Sequence, residues 1–183
     1  MFYEKKGKLA LLLIITLFLS LVLLVGCSDE EDEVVLDEVY STDMYQVEYS
    51  SDWHKDTQEQ MGMRDVVNFM FDEDKQHETI GVVVEEEVAL PDPKSYLESM
   101  ELDMMFENYE EHESSSATLD EKEGHKIVYS GDIGENNVTV KIQQVMIIEE
   151  GRGYILTLGA HEDNFDDYMP YFEEVLASFE LKD

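Results

Sequence analysis

The chain has 183 residues, of which 44 are acidic and 12 are basic, and its formal net charge is −32 at pH 7. Such a surface repels nucleic acid, so the composition excludes nucleic acid as a partner. The one cysteine, Cys27, leaves no pair for an internal disulfide or a thiolate zinc site. We interpret the acidity as an adaptation to high salt or alkaline pH, with cation capture as the alternative.

The chain begins with a basic segment followed by an apolar one. Lys5, Lys6 and Lys8 precede an almost unbroken apolar run over residues 9–25. This order is typical of an export signal. The alternative is a signal anchor that stays in the membrane as a helix, and the run of 17 residues is at the lower limit for such a span.

Residues 24–27 read Leu-Val-Gly-Cys, with a small residue directly before the cysteine. This segment resembles the lipobox of bacterial lipoproteins. The resemblance implies cleavage between Gly26 and Cys27, so that residues 1–26 form the signal peptide. It also implies a diacylglycerol and an N-acyl (palmitate-type) lipid on Cys27, and no other cofactor is expected. Two or more acyl chains hold a protein stably on a membrane, so we expect an extracytoplasmic lipoprotein of a bacterial cell envelope, anchored to the membrane through Cys27.

An acidic block, Ser28–Glu33, follows the cysteine. Blocks of like charge repel themselves, so we predict that residues 27–35 form a disordered tether between lipid and domain. Residues 36–183 suit one domain in size. Without the three lysines and Glu4 of the signal, 9 basic and 43 acidic residues remain, a net charge of −34.

Six stretches of the remaining chain have the period-two or continuous apolar pattern of strands. We predict strands at residues 44–49, 66–71, 79–88, 126–129, 138–148 and 154–158. Residues 131–137 and 150–153 contain the glycines and asparagines that favour tight turns. Short connections of this kind predict an antiparallel sheet.

Two segments have the spacing of helices. The first is predicted over residues 92–108, with Asp92 as N-cap, Pro93 at the first helical position and apolar residues three and four apart. The second extends to Phe179, and Pro170 within it predicts a kink or a restart after a short piece at residues 163–168. Strands and helices in this order predict an α+β domain with two main helices on a mostly antiparallel sheet.

No residue set in the sequence indicates a catalytic mechanism. The five histidines are spread singly, without the i, i+4 pairing of a helical zinc site. The serine segment nearest to a nucleophile elbow has Val128 where the first glycine would be, and no phosphate-binding glycine loop occurs. We therefore expect a protein that is not an enzyme, and a hydrolase with an unrecognised site remains an alternative.

Carboxylate clusters leave divalent-cation binding as another alternative. The first candidates for such a site are Asp72 and Asp74, at a predicted strand end. Calcium needs six to eight converging oxygens, so this pair is a weak candidate. The aromatic residues of the first strands and the last helix are interpreted as core, because large rings dominate burial.

The layout resembles the PsbP-like family, which is named for an extrinsic subunit of photosystem II. The segments that carry the likeness are residues 45–49 leading into 51–53, Leu97, residues 124–127, residues 153–156 and residues 177–179. The resemblance spans residues 38–182. It implies an α/β/α sandwich with a central antiparallel sheet, and an accessory or binding role instead of a shared catalytic set. We expect a non-catalytic, lipid-anchored binding protein with an unknown protein partner in the envelope.

Overall fold

Two antiparallel sheets organise the part of the chain that the computed structural model describes, residues 34–58, 63–72, 77–90, 92–134 and 137–182. The strands are β1 Glu38–Ser41, β2 Tyr45–Tyr49, β3 His54–Gln58, β4 Met63–Met70, β5 Thr79–Glu85, β6 Glu107–Leu119, β7 Lys122–Ile133, β8 Val138–Glu149, β9 Arg152–His161 and β10 Glu180–Leu181. A seven-stranded sheet has the order β3-β4-β5-β9-β8-β7-β6, and a three-stranded sheet has the order β1-β2-β10. The predicted α+β class with a mostly antiparallel sheet is confirmed.

The hairpin between β8 and β9 forms where the turn residues predicted it. Glu149 pairs with Arg152, which leaves Glu150 and Gly151 as a two-residue loop. Both have positive φ, 52° and 79°. This is the requirement of a type I′ turn, whose twist matches that of the flanking strands.

The prediction of one helix over residues 92–108 is wrong in its length. Two short helices replace it, α1 Pro93–Glu98 and α2 Leu102–Met105. Between them, the Ser99 hydroxyl donates a hydrogen bond to the Tyr96 carbonyl at 2.6 Å, and Glu101 has a left-handed backbone conformation with a φ of 49°. From Glu107 onward the chain is strand β6.

The last helix, α3 Phe165–Ser178, is continuous through Pro170 and follows a 3-10 turn at Glu162–Asn164. The predicted restart at Pro170 is therefore wrong. Pro170 is the sixth residue of the helix, so the missing N–H deprives only the Asp166 carbonyl of its helical partner. Pro170 is exposed, so water can donate a hydrogen bond to the Asp166 carbonyl.

Alternate residues of the central strands contribute to two separate apolar cores. On β9, Tyr154, Leu156 and Leu158 pack with the three-stranded sheet and with α3, whose Phe172 is fully buried. Ile155, between them in sequence, packs with Leu97 of α1, Leu102 of α2 and Met146. Because side chains alternate along a strand, the two cores lie on opposite faces of the large sheet. We call the face that carries α1 and α2 the α1 face.

Most aromatic residues interpreted as core are buried in the larger of these clusters, and Tyr40, Tyr168 and Tyr171 are partly buried and pack against it. Tyr45 stacks on Phe179 with ring centroids 5.5 Å apart, and Tyr49 stacks on Phe69 at 4.6 Å. Trp53, Phe165 and Phe172 belong to the same cluster. The interpretation of these rings as core is confirmed.

Candidate functional site

The start of α1 is built by the cap that the sequence predicted. Asp92 Oδ2 accepts hydrogen bonds from the Ser95 backbone N–H at 3.0 Å and from the Ser95 hydroxyl at 2.7 Å. These bonds hold the pKa of Asp92 below its ordinary value. The cap places a carboxylate next to β7 on the α1 face.

A groove of about 730 Å³ opens between this cap and the strands β6 and β7. We call it the Asp92 groove. Its lining residues are Asp92, Pro93, Ser116, Ala117, Thr118, Glu123, Gly124 and Ile148. Gly124 lies against β8, where a Cβ atom would be 2.4 Å from the Met146 carbonyl oxygen. Asp92, Ser116, Thr118 and Glu123 are exposed, so the groove is open to solvent, and two of these residues are carboxylates.

One serine and one histidine form a hydrogen-bonded pair close to this groove. Ser114 Oγ on β6 and His125 Nε2 on β7 are 2.8 Å apart, and His125 is buried while Ser114 is exposed. A histidine in this position can take a proton from a serine hydroxyl. A second such pair, His112 Nε2 and Ser130 Oγ, is also 2.8 Å apart.

The Ser114–His125 pair and Asp92 do not make a complete catalytic triad. Asp92 directs its carboxylate to Ser95, and among the described residues no hydrogen bond or ion pair joins Asp92 to His125. A triad needs the third group to hold the imidazole ring in one tautomer and orientation. The arrangement therefore provides a nucleophile and a base but not the carboxylate that orients the base.

A second groove, of about 250 Å³, lies between the two short helices and β6–β7. We call it the Glu101 groove. Its lining combines an apolar floor with four carboxylates: Leu97, Leu102, Tyr109, Ile127, Glu98, Glu101, Asp103 and Glu111. Burial, followed by the charges of Glu111 and Asp103, raises the pKa of Tyr109. The carboxylates of the groove thus disfavour ionisation of the Tyr109 phenol in its lining.

Two large apolar side chains are exposed on α2, next to the Glu101 groove. Met104 is 77% exposed and Met105 is 65% exposed, while Leu102 of the same helix is buried. Methionine is flexible and polarizable, and it is common on surfaces that adapt to partners. Two exposed apolar side chains therefore lie on a helix whose Leu102 and Asp103 line the Glu101 groove.

Of the residues predicted for lipidation and metal binding, Asp72 is the one that the structure describes. Asp72 is exposed two residues after the end of β4, whereas Asp74, Gly26 and Cys27 lie outside the described residues. Within the described ranges, no three histidine, cysteine, aspartate or glutamate side chains are grouped so that they could hold a metal ion. Cation binding at Asp72 and Asp74, and the lipid on Cys27, stay predictions.

Asp65 and Glu78 accept from tyrosines that are distant in the chain, and neither carboxylate was identified from the sequence. Asp65 on β4 accepts from Tyr45 at 2.7 Å and from Tyr40 at 3.0 Å, and burial followed by the Asp65 charge raises the pKa of Tyr40 to about 12. Glu78, buried before β5, accepts from Asn164 at 3.1 Å and from Tyr168.

These partners are 20 to 90 residues apart in the chain. No local sequence signal connects residues so far apart.

Comparison with solved structures identifies the fold. The cyanobacterial PsbP protein (CyanoP) of Synechocystis superposes with a TM-score of 0.59 over 86% of this chain and 99% of that one, at 17% sequence identity. The domain has the PsbP-like fold. This confirms the fold resemblance found in the sequence. No protein-family model and no curated protein matches the sequence.

Two further structures overlap the PsbP-like domain less closely. LpqN of Mycobacterium tuberculosis, a protein involved in cell envelope biogenesis, has a TM-score of 0.49 at 16% identity and covers 76% of this chain and 83% of that one. PA94 of Pseudomonas aeruginosa has a TM-score of 0.46 at 10% identity and covers 75% of this chain and 91% of that one. At these scores neither similarity carries a functional argument. In the described residues, no helix has both the length and the apolar character to cross a bilayer.

Proposed function

We propose that the protein is a lipid-anchored extracytoplasmic accessory protein whose PsbP-like domain binds another component of the envelope without catalysing a reaction. The domain is proposed to be an α/β/α sandwich, with α3 and α1–α2 on the two sides of the large sheet. The lipobox-like segment, residues 24–27, supports the anchor. The two grooves of the α1 face support the binding role.

The observation that carries the proposal is the exposure of Met104 and Met105 beside the carboxylates of the Glu101 groove. A ligand that covers these two side chains gains about 25 cal/mol for each Å² of apolar surface removed from water. Carboxylates around an apolar patch exclude an acidic ligand and favour a basic one. A basic protein segment with apolar side chains meets both requirements.

Site-specific crosslinking in the native cells tests the binding role. A photoreactive residue at Met104 should give a crosslink to one defined protein. The matched control is the same residue at Glu174, which is exposed on α3, and it should not give that crosslink. The same product from both positions, or none from Met104, would contradict the proposal.

The anchor has a separate test. Cys27→Ser should abolish incorporation of labelled fatty acid and leave a larger, unprocessed precursor. Normal processing of that variant would show that the segment is not a lipoprotein signal.

A hydrolase is the second candidate, because Ser114 Oγ lies 2.8 Å from His125 Nε2. A fluorophosphonate probe, which labels activated serines, distinguishes the two functions. The accessory role predicts no labelling of Ser114. Labelling that is lost in Ser114→Ala and retained in Ser130→Ala would favour the hydrolase.

A further inference from the structure

Strand β6 forms one edge of the seven-stranded sheet. It is 13 residues long, from Glu107 to Leu119, and its described partner is β7 on one side. An edge strand presents a row of backbone N–H and C=O groups that can pair with another strand. Strands in globular proteins are usually about 5–6 residues long, so this edge is unusually extended.

The two halves of β6 differ in how the edge is protected. The first half has register shifts between Glu107 and Glu110 and between Glu111 and Glu113, and it carries four glutamates. Bulges and charges are the devices that keep foreign strands away from an edge. This half is therefore unsuited to accept another strand.

The second half of the strand lacks both devices. Residues 114–119 read Ser-Ser-Ser-Ala-Thr-Leu and pair with β7 in unbroken register, from Ser114 opposite Ile127 to Leu119 opposite Lys122. Ser114, Ser116 and Thr118 are exposed. Small side chains in regular register leave this stretch open to another strand.

The opposite edge of the sheet is a useful contrast. Strand β3 has five residues and carries Lys55 and Asp56. A short, charged strand of this kind is a poor template for pairing. Of the two described edges of the large sheet, β6 is therefore the one with a long uncharged stretch.

The charges around residues 114–118 indicate the kind of strand that would pair there. Ser116 and Thr118 line the Asp92 groove together with the carboxylates of Asp92 and Glu123. Alternate side chains of an added strand would point toward this groove. Lysine or arginine at those positions would face two carboxylates, whereas a second copy of this chain, with its net charge of −32, would be repelled.

We propose that residues 114–118 of β6 accept an extended basic segment of another protein as an eighth, antiparallel strand of the large sheet. This proposal rests on the accessory function above and names the partner class and the surface. Antiparallel pairing follows the pattern of every other pair in the two sheets. Main-chain hydrogen bonds provide affinity in this mode, and alternate side-chain positions provide specificity.

The test uses the full chain in a neutral detergent and a decapeptide of alternating lysine and valine as the probe. Binding is measured by fluorescence anisotropy in about 0.15 M salt, and hydrogen exchange is followed at residues 114–118. The peptide should slow amide exchange at these residues. A decapeptide of alternating glutamate and valine should not bind.

Two N-methylated versions of the probe test whether the peptide pairs as a strand. Methylating all lysine amides or all valine amides removes the donors from one edge of the peptide at a time. One version should bind at least about tenfold more weakly and the other should bind like the parent, because one edge of an added strand faces β6. Equal binding of both versions, or protection only outside residues 114–118, would overturn the proposal.

Protein variants test the role of the groove. Glu123→Gln should weaken binding of the lysine–valine peptide several-fold, and Glu174→Gln on α3 should not. Equal effects of the two variants would mean non-specific attraction and would overturn the proposal. Self-association of the chain with slowed exchange at residues 114–118 in the absence of peptide would also overturn it.

The experiments separate this proposal from the accessory function. A defined crosslink from position 104 without protection of residues 114–118 by the probe would support the accessory role and contradict the strand-docking site. Protection by the probe without any crosslinked protein in cells would support the docking site and contradict the accessory role.

Discussion

The hydroxyl of Tyr45 donates a 2.7 Å hydrogen bond to Asp65 Oδ2, and this bond connects the small sheet to the large one. Tyr45 is fully buried on β2, and Tyr40 on β1 donates to the other oxygen of Asp65 at 3.0 Å. The Asp65 carboxylate on β4 thus accepts hydrogen bonds from both β1 and β2 of the small sheet. The bonds fix the small sheet at one position against the core.

Loss of the Tyr45 hydroxyl should destabilise the domain. Tyr45→Phe leaves the ring stacking on Phe179 in place but removes one donor to Asp65. Hydrogen bonds to charged groups contribute about 1.5–3 kcal/mol, so the free energy of unfolding in urea should fall by about that amount. Tyr154→Phe is a matched control, since it removes the hydroxyl of another buried tyrosine in the same core. A fall no larger than in that control would contradict the assigned role.

The pH dependence of stability should change in Glu85→Gln. Glu85 Oε2 accepts from the Tyr96 hydroxyl, and burial raises the pKa of this carboxyl above its ordinary value of 4.5. A raised pKa favours the protonated form in the folded state, so the native chain loses stability as pH rises from 4.5 through the folded-state pKa. Glutamine stays neutral and can still accept the bond.

Urea denaturation of Glu85→Gln should therefore show higher stability than the native chain at pH 7 and a difference that shrinks toward pH 4. Glu174→Gln, at an exposed site on α3, serves as the control. A gain that is constant from pH 4 to pH 7 would exclude ionisation of Glu85 as the cause.

Gly124 should not tolerate a side chain. A Cβ atom there would lie 2.4 Å from the Met146 carbonyl oxygen and 2.8 Å from Ile147 Cγ2, so β7 and β8 would have to separate. Gly124→Ala should reduce the free energy of unfolding by about 1–3 kcal/mol. At Gly159, also in the sheet, the nearest atom would be 3.8 Å away. Thermal unfolding of Gly159→Ala should match the native chain, and equal losses in the two variants would refute the packing argument.

Salt should stabilise the domain. Mutual repulsion of the excess carboxylates is unscreened at 10 mM NaCl, where the Debye length is about 30 Å, and strongly screened at 1 M, where it is about 3 Å. Exposed ion pairs such as Lys122–Glu149, 2.9 Å apart, lose strength in salt but contribute only about 0–1 kcal/mol each. The melting temperature should therefore rise from 10 mM to 1 M NaCl, and a flat profile would show that repulsion has little effect.

The strands with buried alternate residues could be predicted because their patterns are local. In β2, Tyr45, Val47 and Tyr49 are buried on one side, and the exposed Glu48 lies between them. Strand β6 has no such pattern, because most of its side chains are exposed on both faces of a sheet edge. Strand β6 was therefore not predicted, although it forms part of both grooves.

The candidate site was less predictable than the fold. The cap at Asp92 and Pro93 is a contact between near neighbours, and the sequence indicated it correctly. The Ser114–His125 pair and the acidic grooves depend on the pairing of β6 with β7 and on the break between α1 and α2 at Glu101. Neither a strand register nor a glutamate in the left-handed backbone conformation has a sequence signature of its own.

The sequence by itself determined the charge of the protein, the antiparallel strand pattern, the helix cap at Asp92 and the PsbP-like resemblance. Each of these depends on composition or on residues close together in the chain. Only the tertiary structure decided that Met104 and Met105 are exposed on α2, which lines the Glu101 groove, and that residues 114–118 lie in an edge strand of the described sheet. Exposure depends on which elements pack over a residue, and that is a property of the assembled sheet and helices.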